Sequence, residues 1–292
     1  MNFGDSYQKI SNLVKGDIAE LVKQLQAEIG LESGIDRAIS EFLNGKSKRI
    51  RPVIAFLYLR ASGYEPDERQ YNLQTAVEIL HNASLLHDDV IDESETRRGQ
   101  NTINNQFNNK IAILSGDYLL AFALDKLNSL NCPQIVALCA NTVREMCRGE
   151  IFQDLTRGKI PTLDQYLKKT EQKTAGLFRL AIEGALLLAG ASDTKSAKEF
   201  ALNFGTAFQI RDDLLNITGS QNLKPVKNDI QEGIYNAPVI FSGNTSELTK
   251  GIEKTKDLLN NYVIKSQKAV ELLENNRYKT ALRELLDLLN NV

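Results

Sequence analysis

The sequence predicts an all-α fold, a single large helical bundle formed by residues 1–292. Apolar residues recur at three- and four-residue intervals through long stretches, strand-like alternation is almost absent, and the six prolines punctuate those stretches without interrupting them. Pro52, Pro66, Pro133 and Pro161 each precede a helical pattern, where a fixed φ and a missing N–H suit the first turn. After Pro66 the period shows at Leu73, Val77, Leu80, Ala83 and Leu86, and a second long proline-free stretch runs from Pro161 to Pro225. Turns are expected near Gly45, Gly63, Arg98–Gly99, Gly158–Lys159 and Gly219–Ser220. The tail from about Thr245 alternates leucine with charged residues and reads as two closing helices. No segment is rich enough in Gly, Ser or Pro to act as a linker between domains.

Composition narrows the function classes. Lys and Arg total 35 and Asp and Glu 37, so no global basic field attracts nucleic acid and any polyanion must be met by local charge. Hydrophobic residues at 42% and charged residues at 25% exclude a disordered or collagenous chain. Met1 to Ser6 carry no basic region leading into an apolar stretch, so a cytoplasmic location is expected. Leu177 to Ala191, the most apolar stretch, is interrupted by Arg179 and Glu183, and no run is long enough to span a bilayer. Cys132, Cys139 and Cys147 lack metal-ligand spacing and are expected to be buried thiols; with only His81 and His87, a zinc site is disfavoured.

Two acidic clusters stand out, HDDVID at His87 to Asp92 and RDDLLN at Arg211 to Asn216. Asp88 and Asp92 are four positions apart, so on a helix they share a face and repel each other unless a cation lies between them. Oxygen-only ligands of this kind favour Mg²⁺ or Ca²⁺, and Mg²⁺ characteristically combines one or two carboxylates with water and phosphate oxygens. Asp212 and Asn216 repeat the spacing with an amide in the last place. One such string alone is weak. The basic surroundings strengthen it: Arg97 and Arg98 just beyond Asp92, the block from Lys46 to Pro52, and His81 on the face of Asp88. Acid for a metal beside base for an anion implies a diphosphate. Gly99 and Gly116 read as turn residues, because no Gly-rich phosphate loop is present, and His87 as an ordinary satisfied histidine.

Seven ordered segments resemble the trans-type polyprenyl (isoprenyl) diphosphate synthase family, in its long-chain form. They are KRIRP at Lys48 to Pro52, EILHNASLLHDDVIDESETRRGQNTI at Glu78 to Ile103, SGDYLL at Ser115 to Leu120 and GEIFQD at Gly149 to Asp154, followed by KTAGLF at Lys173 to Phe178, FGTAFQIRDDLLNITG at Phe204 to Gly219 and KPVKNDIQEG at Lys224 to Gly233. The resemblance implies a helical bundle of the isoprenoid synthase type with a central active-site cavity. It implies a prenyltransferase that elongates an allylic diphosphate with isopentenyl diphosphate by ionisation, condensation and elimination. Asp88, Asp92 and Asp212 would hold Mg²⁺, by resemblance three ions, against the allylic diphosphate, with Asp89 and Asp213 behind them. Arg97, Lys173 and Lys224 match cations on that same diphosphate; Lys48, Arg51, His81 and Arg98 match those on isopentenyl diphosphate. Thr174 and Gln209 fall where the family sets oxygen dipoles near the carbocation, and the departed diphosphate would accept the proton.

Product length is expected to follow helix geometry, since one turn rises about 5.4 Å, close to one isoprene unit. Ala83 and Ser84 are small where short-chain synthases resemble a bulky pattern, Ala76 keeps the tunnel open deeper, and Leu80 with Phe122 on a facing helix are candidates to close it. The expected product is C25 to C40, with C20 the runner-up. A homodimer is implied by family, a small partner subunit and peripheral membrane contact remain open, and no nucleic-acid partner or transmembrane segment is expected. Four positions depart from the family pattern: Asn216 for aspartate, Lys227 and Ser47 for glycine, and Ile234 at a usually basic place. The alternative reading is a weakly active or inactive subunit of a heteromeric synthase.

Overall fold

The computed structural model describes residues 3–26, 34–45, 47–219 and 228–292. Among them the chain forms α1 (Phe3–Ser11), α2 (Lys15–Leu25), α3 (Ile35–Asn44), α4 (Ile50–Ala61), α5 (Glu68–Ile91), α6 (Ile103–Gln106), α7 (Asn109–Asn128) and α8 (Pro133–Leu155). There follow α9 (Leu163–Thr170), a π-helical turn (Glu171–Ala175), α10 (Gly176–Leu188), α11 (Lys195–Thr218), α12 (Asn228–Gln231), α13 (Ala237–Ser242), α14 (Thr249–Glu271) and α15 (Arg277–Asn290). The all-α expectation holds, and α14 and α15 are the two closing helices.

Local chemistry sets the boundaries. Pro52 and Pro133 lie in first turns, while Pro66 and Pro161 stand one residue before the caps Asp67 and Thr162. The Asp67 carboxylate accepts from the Gln70 N–H at 3.0 Å, and Thr162 forms a reciprocal capping box with Gln165. Among the described residues one hairpin forms: β1 (Thr96–Arg97), paired antiparallel with β2 (Gln100–Asn101), turns through Arg98 and Gly99, both at positive φ. That is the geometry a two-residue hairpin favours, and it carries Arg98 at the tip.

Helices α4, α5, α10 and α11 form the centre. Nearly every residue of α4 is buried, as are Phe178, Leu180 and Ala181 on α10 and Phe200, Phe204 and Ala207 on α11. Phe178 packs edge-on against Phe204 with ring centroids 5.4 Å apart, and Tyr58 stacks on Phe200 at 4.9 Å. Buried Gln70 and Gln74 of α5 donate to the carbonyls of Ala185 and Ala181 on α10, both at 2.9 Å. These bonds pair the two buried amide donors and fix α5 against α10, while Oε1 of each glutamine stays without a partner.

Two sequence expectations need correction here. Gly116 is buried in the middle of α7, where the absence of a Cβ admits the imidazole of His87 from α5; it serves close helix packing and makes no turn. Of the three cysteines only Cys139 is buried, whereas Cys132, the N-cap of α8, is half-buried and Cys147, on the outward face of α8, is exposed.

Candidate active site

The end of α5 supplies the first acidic cluster. Asp88 and Asp89 complete the helix and Asp92 caps it, its N–H donating to the Asp88 carbonyl at 2.8 Å. Burial, with Glu150 and Asp92 adding to it, pushes the Asp88 carboxyl up to about 6, although Lys173 and Arg97 oppose the shift. Asp92 is raised in the same way, by desolvation first. Asp89 points elsewhere: it is 1% exposed and accepts from Nε of Arg97 at 2.6 Å. Arg97 therefore lies beside the cluster, held by Asp89.

The π-helical turn brings the second component. A π turn carries one more residue than an α turn and re-aims the side chains after it. Lys173 forms an ion pair with Glu150 of α8. Thr174 donates its hydroxyl to Oε1 of Gln209 at 2.8 Å. Gln209 in turn donates to Oδ1 of Asp213 at 2.9 Å, and the buried Tyr166 hydroxyl donates to Oδ2 of Asp213 at 2.6 Å. Burial pushes Asp213 up to about 7 despite these donors and Lys169. The relay needs α11 to approach the π turn closely: a Cβ at Gly205 would lie 2.6 Å from the Cα of Ala175.

A cationic nest lies on the other side. The Arg51 guanidinium rests 5.0 Å from the Phe178 ring centroid, and its Nε is buried without a partner. Its pKa is lowered by burial first, while Glu78 and Asp212 oppose and Arg98 adds to the shift. His81 is held well below its ordinary value by burial and then by Arg51, Arg98 and Arg97, so its imidazole is neutral near pH 7 (about 6.5 being ordinary). Glu78, 1% exposed, pairs with Arg49 at 3.5 Å and keeps Oε1 unpartnered. Lys48 is exposed at the start of this wall. Lys224, like Lys227, lies outside the described residues.

Asn216 is tied into a polar network. Its Nδ2 donates to Asp229 at 3.2 Å, Asn236 donates to the other Asp229 oxygen at 2.7 Å, and Lys169 reaches Asn236 at 3.2 Å. The Asn216 Oδ1 is buried without a partner. An aspartate there would set two carboxylates against each other, which gives the amide a local reason.

Along α5, Ala76, Leu80 and Ala83 are buried, and Ser84 donates to the His81 carbonyl at 2.8 Å. His87 against Gly116 at one end, and Arg69 donating to the Leu130 carbonyl at 2.9 Å at the other, set α7 antiparallel to α5. That register places the half-buried Phe122 near the level of Leu80. Sequence reasoning missed Glu150, Tyr166, Lys169 and Phe178 as parts of the site. Tyr166, Lys169 and Lys173 carried a faint signal in their three- and four-residue spacing.

The donor set suits a hard divalent cation. Asp88 and Asp92 crowd negative charge at the end of α5, and among the described residues no cluster of three or more His, Cys, Asp or Glu forms a closed cage. One or two carboxylates with the remaining positions left to diphosphate oxygens and water is the pattern Mg²⁺ takes.

The architecture is shared with a crystal structure of polyprenyl synthase from Caulobacter crescentus complexed with calcium and isoprenyl diphosphate, with a TM-score of 0.89, 27% identity and 98% of both chains covered. The decaprenyl-diphosphate synthase of Dictyostelium discoideum is 37% identical over 251 residues, 76% of this chain but 55% of that longer protein. Heptaprenyl diphosphate synthase component 2 of Geobacillus stearothermophilus is 36% identical over 238 residues, 79% of this chain and 74% of the relative. The polyprenyl synthetase model matches residues 32–280. The chain belongs to the polyprenyl synthetase family, whose named relatives are prenyl diphosphate synthases.

Proposed function

We propose that the chain elongates an allylic diphosphate by head-to-tail condensation with isopentenyl diphosphate. The observation that carries this is the position of Arg51, which interacts with Glu78 and Arg98 of the cationic nest and with Asp212 of the second acidic cluster. That coupling of the basic group to the second acidic cluster supports a reading in which two diphosphates are set side by side between them. Asp88, Asp92 and Asp212 are the residues to hold Mg²⁺. When bound, the metal would neutralise the charge that develops as the allylic carbon–oxygen bond breaks.

The protein's own side chains have separable tasks. Lys173, steered by Glu150, and Arg97, steered by Asp89, present cations toward the departing diphosphate. Lys48, Arg51, His81 and Arg98 hold the diphosphate of the acceptor. Thr174 and Gln209, fixed by Asp213 and Tyr166, direct oxygen dipoles at the allylic cation. The acceptor's double bond then attacks, and the new cation loses a proton to the released diphosphate. Buried Ala76 and Ala83 and half-buried Ser84 support a tunnel longer than C15, and we assign a C25 to C40 product. Exposed Ile113, Leu114 and Leu124 on α7 and Ile151 and Leu155 on α8 fit the face of a homodimer. Among the described residues no helix is long and apolar enough to cross a membrane.

Purified chain incubated with isopentenyl diphosphate, Mg²⁺ and a C10, C15 or C20 primer tests the reading, with products sized by mass spectrometry. Elongation by the chain alone is expected. Failure with all three primers would overturn it and favour a companion subunit, as the component name of the Geobacillus relative suggests for that protein.

A further inference from the structure

We infer that Phe3 and Tyr7 of α1 are positioning residues for the acceptor's diphosphate pocket, holding Lys48 in register with α11. The inference rests on the assignment of Lys48 to that pocket.

Four contacts converge on α1. The Phe3 ring lies 4.9 Å from Nζ of Lys48 and 4.1 Å from the guanidinium carbon of Arg211. It stacks on Tyr7 with ring planes 3° apart. The Tyr7 hydroxyl, on a residue 5% exposed, donates to the Lys48 carbonyl at 2.7 Å. Arg211 is buried, keeps its Nε without a hydrogen-bond partner and directly precedes Asp212. One aromatic side chain therefore touches a cation assigned to the acceptor and the cation next to the second acidic cluster. On its other side α1 packs against α15, so the clip is anchored outside the site.

The arrangement has a physical consequence for binding. A lysine side chain is long and rotamer-rich, and ordering it when an anion arrives opposes association. An aromatic face attracts its ammonium before the anion is present. The hydrogen bond from Tyr7 fixes the backbone that carries it, so backbone and head group are ordered separately. Both residues hold Lys48 directly, whereas on the allylic side Phe3 meets only Arg211, which is not among the groups assigned to the diphosphate, so the effect should fall on the acceptor. A role in folding alone would lower the melting temperature and alter both substrates together.

The test compares Phe3→Leu, which keeps apolar volume but removes the π face, with Phe3→Trp, Tyr7→Phe and Lys48→Ala. KM is measured for isopentenyl diphosphate and for the allylic primer. Calorimetric binding of isopentenyl diphosphate and melting temperature are measured on the same proteins. Phe3→Leu should raise the acceptor KM about five- to tenfold, with the primer KM and kcat unchanged and Phe3→Trp restoring it. Tyr7→Phe should raise it about two- to threefold. An unchanged or lowered acceptor KM in Phe3→Leu would overturn the inference, as would parallel changes in both substrates with a fallen melting temperature. If Lys48→Ala raises the acceptor KM and Phe3→Leu does not, the inference alone fails. If Lys48→Ala has no effect, or the wild-type chain does not bind isopentenyl diphosphate, the assignment of the pocket fails and takes the inference with it.

Discussion

Replacing Tyr166 with phenylalanine removes one oxygen atom and little else. The ring stays in a fully buried slot under Lys169, whose ammonium lies 5.6 Å from its centroid. What disappears is the 2.6 Å hydrogen bond to Asp213. At about pH 8, where Asp213, pushed up to about 7, is mostly ionised, a charge-assisted hydrogen bond to this buried carboxylate contributes about 1.5–3 kcal/mol, and its loss leaves the Asp213 oxygen short of a donor. For a chain of 292 residues that corresponds to a fall in melting temperature of about 2–5 °C. Asp213 also orients Gln209, and Gln209 orients Thr174. On the proposed placement of Gln209 near the allylic cation, freeing its amide should lower kcat about tenfold while leaving both KM values near wild type. Calorimetric unfolding with steady-state kinetics reads both quantities. A Tyr166→Phe protein with wild-type kcat and melting temperature would refute the relay.

Other perturbations test neighbouring parts of the account. Asn216→Asp should destabilise the metal-free protein by about 1–2 kcal/mol, because the new carboxylate faces Asp229, and added Mg²⁺ should raise its melting temperature more than that of wild type; equal Mg²⁺ responses would count against the placement. Gly205→Ala presses a methyl group onto the π turn at Ala175 and should cost about 1–3 kcal/mol with a reduced kcat, read by thermal unfolding and activity. Ser84→Phe should shorten the longest product and Leu80→Ala lengthen it, each by about one isoprene unit in a mass-spectrometric ladder. At about pH 8, iodoacetamide should label exposed Cys147 and spare Cys139, whose thiol is buried and pushed up to about 11; labelled Cys139 in folded protein would contradict the packing of α8.

Much of the helical frame was legible because periodicity and proline placement are local signals. Leu73, Val77 and Leu80 repeat along one face, Pro133 starts a helix, and the Arg98–Gly99 turn makes a two-residue hairpin. The acidic residues were legible too, since Asp88 and Asp92 are one helical turn apart. The π turn was not, because Glu171–Ala175 looks like ordinary helix until α11 packs on it at Gly205. Gly116 misled for a related reason: glycine serves turns and close packing alike, and only the position of His87 decides between them. The supporting partners stayed hidden because they are distant in sequence. Tyr166 meets Asp213 across 47 positions and Tyr7 meets Lys48 across 41, and neither pairing leaves a periodic trace.

The most direct measurement of the central claim is incorporation of labelled isopentenyl diphosphate into prenyl product by wild type, Asp88→Asn and Asp212→Asn, each checked for an intact fold. On the proposed assignment both carboxylates serve one departing diphosphate, so either variant should lose at least about 100-fold in rate while keeping its helical content. A folded Asp88→Asn or Asp212→Asn protein within tenfold of wild type, roughly 1.4 kcal/mol in barrier height, would contradict the shared site.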